Sequence, residues 1–147
     1  MNIKYAIILI CLASSIVMDT APPAMAQNPD DILIVANRDV GVNSISMDEL
    51  TALFLKQRQT WENGARAIPI HTKDQKLKAK FLKVVLGTSI SQNDAYWQEQ
   101  KIKHGKLKPP EVSNMLKAVF NLKGSVGYIY RRQYIKEVSK ILLELHQ

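Results

Sequence analysis

The sequence predicts a small α/β domain with a sheet of three to four strands and helices packed around it. Apolar runs bounded by turn-forming residues, such as Asp31–Ala36 and Ser125–Tyr130, are typical of buried strands. Between these runs, apolar residues recur every three or four positions, which is typical of amphipathic helices. The chain shows no internal repeat and no low-complexity linker, so we expect one domain.

Residues 1–26 have the pattern of a cleavable signal peptide. Lys4 precedes the apolar run Ala6–Met18, and the small-residue motif Ala24–Ala26 follows it. The run is too short for a membrane-spanning helix, which needs roughly 20 apolar residues. We therefore expect cleavage after this motif, a domain over residues 27–147 that is periplasmic or secreted, and no stable membrane span. An uncleaved membrane anchor is the alternative.

The composition limits the classes of function. The 147-residue chain has 20 basic and 13 acidic residues and a formal net charge of +7, which favours anionic partners. In an exported protein we do not expect that partner to be nucleic acid. The one cysteine, Cys11, lies inside the predicted signal peptide, which excludes disulfides and thiolate chemistry from the mature domain. No spacing suggests a metal site or a nucleophile beside a base, so we expect no metal, no cofactor and no enzyme activity.

Capping and turn residues divide the segment after the first strand. Ser46, with Glu49 three residues later, forms a capping box that starts a helix. Ala67–His71 fits a second short strand. The spacing of apolar residues predicts a second helix over Asp74–Leu86, ended by Gly87.

In the second half of the chain, Ser91 is predicted to cap a third helix, and Pro110 or Glu111 to open a fourth. The strand Ser125–Tyr130 follows. Residues 135–145 fit a helix and a strand equally well, and both interpretations stay open.

Three ring-bearing side chains invite a functional interpretation. Trp61 and Trp97 could stack on a ligand, but core packing is the more common role, and we expect it here. His71 stands at the end of the second predicted strand, where it could be a polar site residue, but a surface histidine is the more common case, and we expect it at the surface.

The order of several short motifs along the chain resembles that of a known family. The motif segments are Asn43–Lys56, Thr60–Gly64, Ile68–Ile70, Phe81, Val85–Gly87, Tyr96–Trp97, Pro109–Pro110 and Gly124–Tyr128. Together they resemble the phosphate ABC-transporter substrate-binding protein family, over roughly Ile32 to Leu145. The resemblance implies an α/β fold that is a single lobe of a type 2 periplasmic binding protein, with a small mixed sheet flanked by helices.

The chain departs from the family's pattern in two ways. Family members have two lobes with the ligand between them, whereas this chain is long enough for one. In members that bind phosphate, a turn containing Ser and Gly at a helix N-terminus holds the anion through exposed backbone N–H groups. The corresponding turn, His71–Lys76, has neither residue, and the carboxylate of Asp74 would oppose an anion.

The candidate anion contacts are cationic and hydroxyl side chains near the predicted strand ends. They are Arg38, Ser44, Thr72, Lys73 and Lys76. Ligands of open α/β sheets gather at the carboxyl ends of strands. Arg38 and Ser44 would therefore lie near Thr72 and Lys73 if the first two strands are neighbours.

Three hypotheses of function remain open. The first is an exported solute-binding module that recognises phosphate or another small anion. The second is an envelope interaction or accessory protein that has lost the anion site and binds a protein partner or a second copy of itself. The third is attachment to anionic envelope polymers through lysine-rich faces, although such faces are more often only solvated. Those faces include Lys101, Lys103, Lys106 and Lys108.

Overall fold

The computed structural model describes residues 27–146 as a mixed sheet flanked by helices, which confirms the predicted fold class. The strands are β1 (Ile32–Ala36), β2 (Ile68–Pro69), β3 (His71–Thr72), β4 (Glu111–Val112), β5 (Ser125–Tyr130) and β6 (Lys140–Leu145). The helices are α1 (Met47–Phe54), α2 (Gln75–Phe81), α3 (Ile90–His104) and α4 (Met115–Asn121), with a π-helical turn at Leu82–Leu86 and a 3-10 turn at Arg131–Gln133. One sheet has the order β2-β5-β1-β6, and β3 and β4 form a separate pair.

The predicted signal peptide, residues 1–26, lies outside the described residues, so its cleavage stays a prediction. Within residues 27–146, no helix is both long and apolar enough to cross a membrane. Both sheets and the helices that flank them lie inside this range.

Strand β1 is central and buried on both faces. It pairs antiparallel with β5 on one side and with β6 on the other. Because side chains alternate across a sheet, Ile32 and Ile34 join one hydrophobic cluster while Leu33 and Val35 join another. This double burial explains why the predicted strand Asp31–Ala36 is continuously apolar instead of alternating.

Helices cover both faces of the four-stranded sheet. On one face, α1 and α2 bury Phe54 and Phe81, and the ring of Phe81 stacks on that of Tyr128 in β5 at 3.8 Å between centroids. On the other face, Met115 of α4 packs against β5. A Cβ atom at Gly127 would lie 2.2 Å from the Met115 sulfur, so a larger residue there would force the Met115 side chain to move.

The predicted starts of the first two helices, and the predicted stop of the second, are confirmed. Ser46 caps α1, and both hydrogen bonds of its capping box with Glu49 are present. Asp74 caps α2, which continues through the π-helical turn to Gly87. Gly87 has a φ of 63°, the left-handed conformation that ends helices and favours glycine.

Two predicted boundaries around the second strand are wrong. The segment Ala67–His71 supplies two strands, because β2 pairs parallel with β5 while β3 pairs parallel with β4 in the small sheet. The fourth helix does not open at Pro110 or Glu111, because Glu111 is held in β4 and Asn114 caps α4 instead. The two errors share a cause, since β3 and β4 form only by pairing with each other across a long stretch of sequence.

The third helix and the last segment also differ from expectation. Ser89 caps α3 and accepts a hydrogen bond from the backbone N–H of Gln92 at 3.2 Å, so the predicted cap at Ser91 is wrong. The ambiguous segment 135–145 contains strand β6. It forms a strand because β1 offers a free edge to pair with.

The core role of the tryptophans is confirmed, because Trp61 and Trp97 are both buried. The indole N–H of Trp61 donates to the carbonyl of Gly124 at 2.9 Å. His71 is buried as well, with its ring 5.1 Å from that of Phe54. The expectation of a surface histidine is therefore wrong, because β3 runs under α2 and not at the outside of the domain.

Candidate functional site

A cavity of about 290 Å³ opens at the carboxyl end of β5. Because β2 runs parallel to β5, the turn before α2 reaches this end of the sheet, where it meets the turn before α4. The lining residues are Thr72, Asp74, Leu77, Ser113, Asn114, Met115, Leu116, Tyr128, Ile129 and Gln133. The candidate site is therefore built from two helix-capping turns and the end of a central strand.

Three lining side chains use their oxygen as an acceptor for the backbone. Thr72 Oγ1 accepts from the N–H two residues later at 3.1 Å. Asn114 Oδ1 accepts from the N–H three residues later at 3.0 Å. Gln133 Oε1 accepts from the N–H of Tyr130 at 2.9 Å. These bonds fix the orientation of each side chain. In Asn114 and Gln133, the NH₂ group lies on the side of the amide opposite to the bonded oxygen.

The same side chains leave hydrogen-bond donors at the cavity. Among residues 27–146, the Thr72 hydroxyl hydrogen and the side-chain NH₂ groups of Asn114 and Gln133 have no partner. The Ser113 hydroxyl has no hydrogen-bond partner in this range either. These four donor-bearing side chains line the same cavity, and such a set of donors suits an acceptor-rich ligand such as an oxyanion.

Asp74 is the one carboxylate in the cavity wall. Its Oδ1 accepts from the backbone N–H groups of Lys76 and Leu77 at 3.0 and 3.1 Å. These are the N–H groups that would otherwise be free at the start of α2. These two N–H groups at the α2 N-terminus are therefore already satisfied by the chain itself, and a ligand in the cavity would meet side-chain donors and the remaining carboxylate oxygen.

A buried hydrogen bond lies behind the cavity. His71 Nδ1 and Tyr128 Oη are 2.9 Å apart, and both side chains are buried. Burial, together with the charge of Lys78, lowers the pKa of His71 to about 3, so its ring is neutral at pH 7. Burial also raises the pKa of Tyr128. Two neutral, mutually bonded rings thus form a rigid floor behind the turn that carries Thr72.

An ion pair holds the two cavity turns at a set distance. Lys78 of α2 is buried, and its Nζ lies 2.6 Å from Oε1 of Glu111 in β4. The same oxygen lies 3.2 Å from Nζ of Lys108. The hydrogen bond from Lys78 is the largest cause that lowers the pKa of the Glu111 carboxyl. Because β4 leads directly into the turn before α4, this pair positions Ser113 and Asn114 relative to α2.

The structure separates the five predicted contact residues into two groups. Thr72 lines the cavity, and Lys73 and Lys76 are exposed on the adjoining turn and first turn of α2. Arg38 lies at the other end of β5, where its guanidinium donates to the carbonyl of Glu137 at 3.0 Å. Ser44 is exposed in the loop that follows β1, and the next residue bonds to β6.

The expected meeting of Arg38 and Ser44 with Thr72 does not occur. β5 lies between β1 and β2, so the first two strands are not neighbours. β1 is antiparallel to β5 and β2 is parallel to it. The carboxyl ends of β1 and β2 therefore point to opposite ends of the sheet, measured along the strands.

Sequence reasoning missed Ser113, Asn114 and Gln133. The available signal was the pair Ser113–Asn114 directly before an apolar helical repeat, which is typical of an N-cap. Assigning the helix start to Pro110 or Glu111 hid this signal. Gln133 carried no signal, because only the pairing of β5 brings it to the cavity.

Comparison with known proteins identifies the fold. No protein-family model matches the chain, and no curated protein matches it. Among solved structures, it is similar to an ABC-type phosphate transport receptor from Vibrio cholerae, with a TM-score of 0.59 and 15% identity over 83% of this chain and 53% of that one. It is also similar to PstS from Borrelia burgdorferi, with a TM-score of 0.59 and 14% identity over 77% and 46%.

A third similar structure, from Clostridium perfringens, contains bound phosphate and has a TM-score of 0.50 and 13% identity over 77% of this chain and 44% of that one. The chain thus spans about half the length of the structures it matches. It has the fold of a single lobe of a type 2 periplasmic binding protein. The predicted resemblance to phosphate ABC-transporter substrate-binding proteins is confirmed at the level of the fold. Its described residues contain no cluster of three or more His, Cys, Asp or Glu that could hold a metal.

Proposed function

We propose that this protein is an exported solute-binding module that holds phosphate, or a similar small oxyanion, in the cavity at the carboxyl end of β5. The proposal combines a site of side-chain donors with the fold of proteins that transport or bind phosphate. The predicted signal peptide would place the module in the periplasm or outside the cell. The role is binding without catalysis.

The observation that carries the proposal is the set of donors in the cavity wall. The side-chain oxygens of Thr72, Asn114 and Gln133 accept hydrogen bonds from the backbone, so their hydrogens stay available to a ligand. Ser113 adds a hydroxyl group. An oxyanion accepts hydrogen bonds through several oxygens at once, and charge-assisted bonds are about twice as strong as neutral ones. A ligand with mixed donors and acceptors would use this wall less fully.

Charge favours the same class of ligand. The exposed side chains of Lys73 and Lys76 flank the cavity, and the chain carries a net charge of +7. Such a field raises the local concentration of anions. Asp74 works against a fully deprotonated anion, but its free oxygen can accept a hydrogen bond from an oxyanion that keeps one proton. We therefore favour hydrogen phosphate over sulfate as the ligand.

Thermal unfolding of residues 27–147 in phosphate, sulfate and chloride at matched ionic strength tests the proposal. A ligand that binds only the folded state stabilises it by about 2.7 kcal/mol at one hundred times its dissociation constant. We expect a clear rise in Tm with phosphate, a smaller rise with sulfate, and none with chloride. Equal curves in all three salts would contradict oxyanion binding.

The variant Asn114→Asp locates the site. It keeps the Oδ1 acceptor that caps α4 but replaces two donors with a negative charge, so we expect the stabilisation by phosphate to vanish while the fold persists. The matched control is Asn63→Asp, because Asn63 Oδ1 also accepts a backbone N–H at 3.0 Å, in a turn that does not line the cavity. A phosphate response that survives in Asn114→Asp would place the site elsewhere.

A further inference from the structure

The segment from Lys101 to Lys108, which we call the lysine tip, combines exposed aliphatic residues with lysines. Its sequence is KIKHGKLK, so Ile102 and Leu107 each have a lysine on both sides. Every residue of the tip is exposed. Ile102 is 79% exposed and Leu107 is 63% exposed, more than any other large hydrophobic residue in the described part of the chain. The oxyanion cavity uses none of these residues.

The tip has a defined conformation that keeps its aliphatic side chains outside. Gly105, with a φ of 64°, ends α3, and its N–H donates to the carbonyl of Lys101 at 3.0 Å. The ammonium of Lys56 donates to the carbonyl of Leu107 at 2.7 Å and so holds the extended part of the tip against the domain. Exposure of Ile102 and Leu107 is therefore built into the fold on both sides of the turn.

Positive charge at the tip is only partly neutralised. Lys103 pairs with Glu99, and Lys108 lies near Asp94 and Glu111. Lys101 and Lys106 have no ion pair within residues 27–146. Both line a groove of about 490 Å³ beside α3, together with Lys108 and with Asp94, whose carboxylate lies 3.8 Å from the Lys108 Nζ. An anionic group that enters this groove meets two uncompensated cations.

We propose that the lysine tip docks this protein on the surface of a bilayer that contains anionic lipid. The lysines contact headgroup phosphates, and Ile102 and Leu107 enter the boundary between headgroups and acyl chains. Peripheral proteins bind such surfaces through basic charge combined with buried apolar area. A purely anionic polymer would satisfy the lysines but would leave both aliphatic side chains in water, so the observations favour lipid.

Vesicle co-sedimentation of residues 27–147 tests the docking. We expect binding to vesicles of phosphatidylglycerol and phosphatidylcholine, and none to phosphatidylcholine alone. Each lysine near an anionic surface contributes ~1 kcal/mol, so Lys101→Gln with Lys106→Gln should weaken binding by about 30-fold. Ile102→Ser with Leu107→Ser should weaken it by about tenfold or more, because the apolar contribution is lost.

The matched controls are Lys117→Gln and Phe120→Ser, which remove an exposed lysine and a 58% exposed aromatic side chain from α4. Both should bind vesicles as the unchanged protein does. Equal loss in the controls, or no binding to phosphatidylglycerol vesicles at low salt, would overturn the proposal. So would full binding by the Ile102→Ser, Leu107→Ser protein, which would show that charge alone accounts for the binding. The phosphate response of the Tm should be unchanged in all of these variants, which keeps this test separate from that of the cavity.

Discussion

Asn37 and Asn114 lie at opposite ends of β5 and use the same side-chain amide in different ways. Asn37 is buried, its Nδ2 donates to the carbonyls of Val119 and Phe120 at 2.8 and 3.0 Å, and its Oδ1 accepts from the N–H of Asp39. Asn114 is exposed, and among the described residues only its Oδ1 has a partner. An amide satisfied on every side by the backbone is structural, whereas an amide with free donors in a cavity is available to a ligand.

Residue type alone therefore does not identify a binding residue. Both asparagines follow or precede a regular element, and both cap a turn. The difference lies in which atoms the backbone has already used, and that can be tested at both ends of β5.

The largest expected effect is the loss of folding stability on substitution of Asn37. Asn37→Asp removes two donors from buried carbonyls and places a carboxylate against them, so we expect a loss of about 3 kcal/mol in the free energy of unfolding. Urea denaturation measures this loss. The remaining folded protein should still respond to phosphate. A stability equal to that of the unchanged protein would show that Asn37 is not structural, and the contrast between Asn37 and Asn114 would be wrong.

The floor behind the cavity predicts a pH dependence of stability. The pKa of His71 is about 3 in the folded protein and 6.5 ordinarily, so the unfolded chain takes up the proton first. The stabilising effect of neutral His71 is complete above about pH 6.5 and is lost as the pH falls toward 3. Between pH 7 and pH 5 we expect a loss of about 2 kcal/mol.

The variant His71→Asn tests whether His71 causes this pH dependence, because Asn offers an acceptor near the position of Nδ1 but does not titrate. Its free energy of unfolding should vary less between pH 7 and pH 5 than that of the unchanged protein, whatever its absolute value. His104→Asn, at an exposed histidine of α3, is the matched control. Parallel pH profiles for the unchanged protein and His71→Asn would contradict the assignment.

The smallest expected effect concerns the selectivity of the cavity for phosphate over sulfate. Asp74→Asn keeps the acceptor that caps α2 and removes the negative charge, and Asp and Asn are similar N-caps. We expect sulfate to stabilise this variant as well as phosphate does, a gain of about 1 kcal/mol for sulfate. Calorimetric titration with both anions measures it. Sulfate binding that stays weak would show that Asp74 does not select the protonated anion.

Much of the local structure could be predicted from the sequence. The capping box at Ser46, the helix stop at Gly87 and the buried strand that became β1 depend on residues close together in the chain, so short patterns identify them. Thr72 was predicted as a contact because it lies in the turn that corresponds to the anion-binding turn of the phosphate-binding family. The short strands β3 and β4 were missed because each exists only through its pairing with the other.

The sequence by itself determined the long strands β1 and β5 and the first two helices, and that residues 27–147 are basic and contain no cysteine. Only the tertiary structure decided which strand ends meet. The antiparallel pairing of β1 with β5 places Arg38 away from Thr72. The pairing of β3 with β4 in the small sheet places Asn114 close to Thr72. The physical reason is that strand order and direction follow from burying both faces of β1 at once, a long-range condition that no local pattern contains.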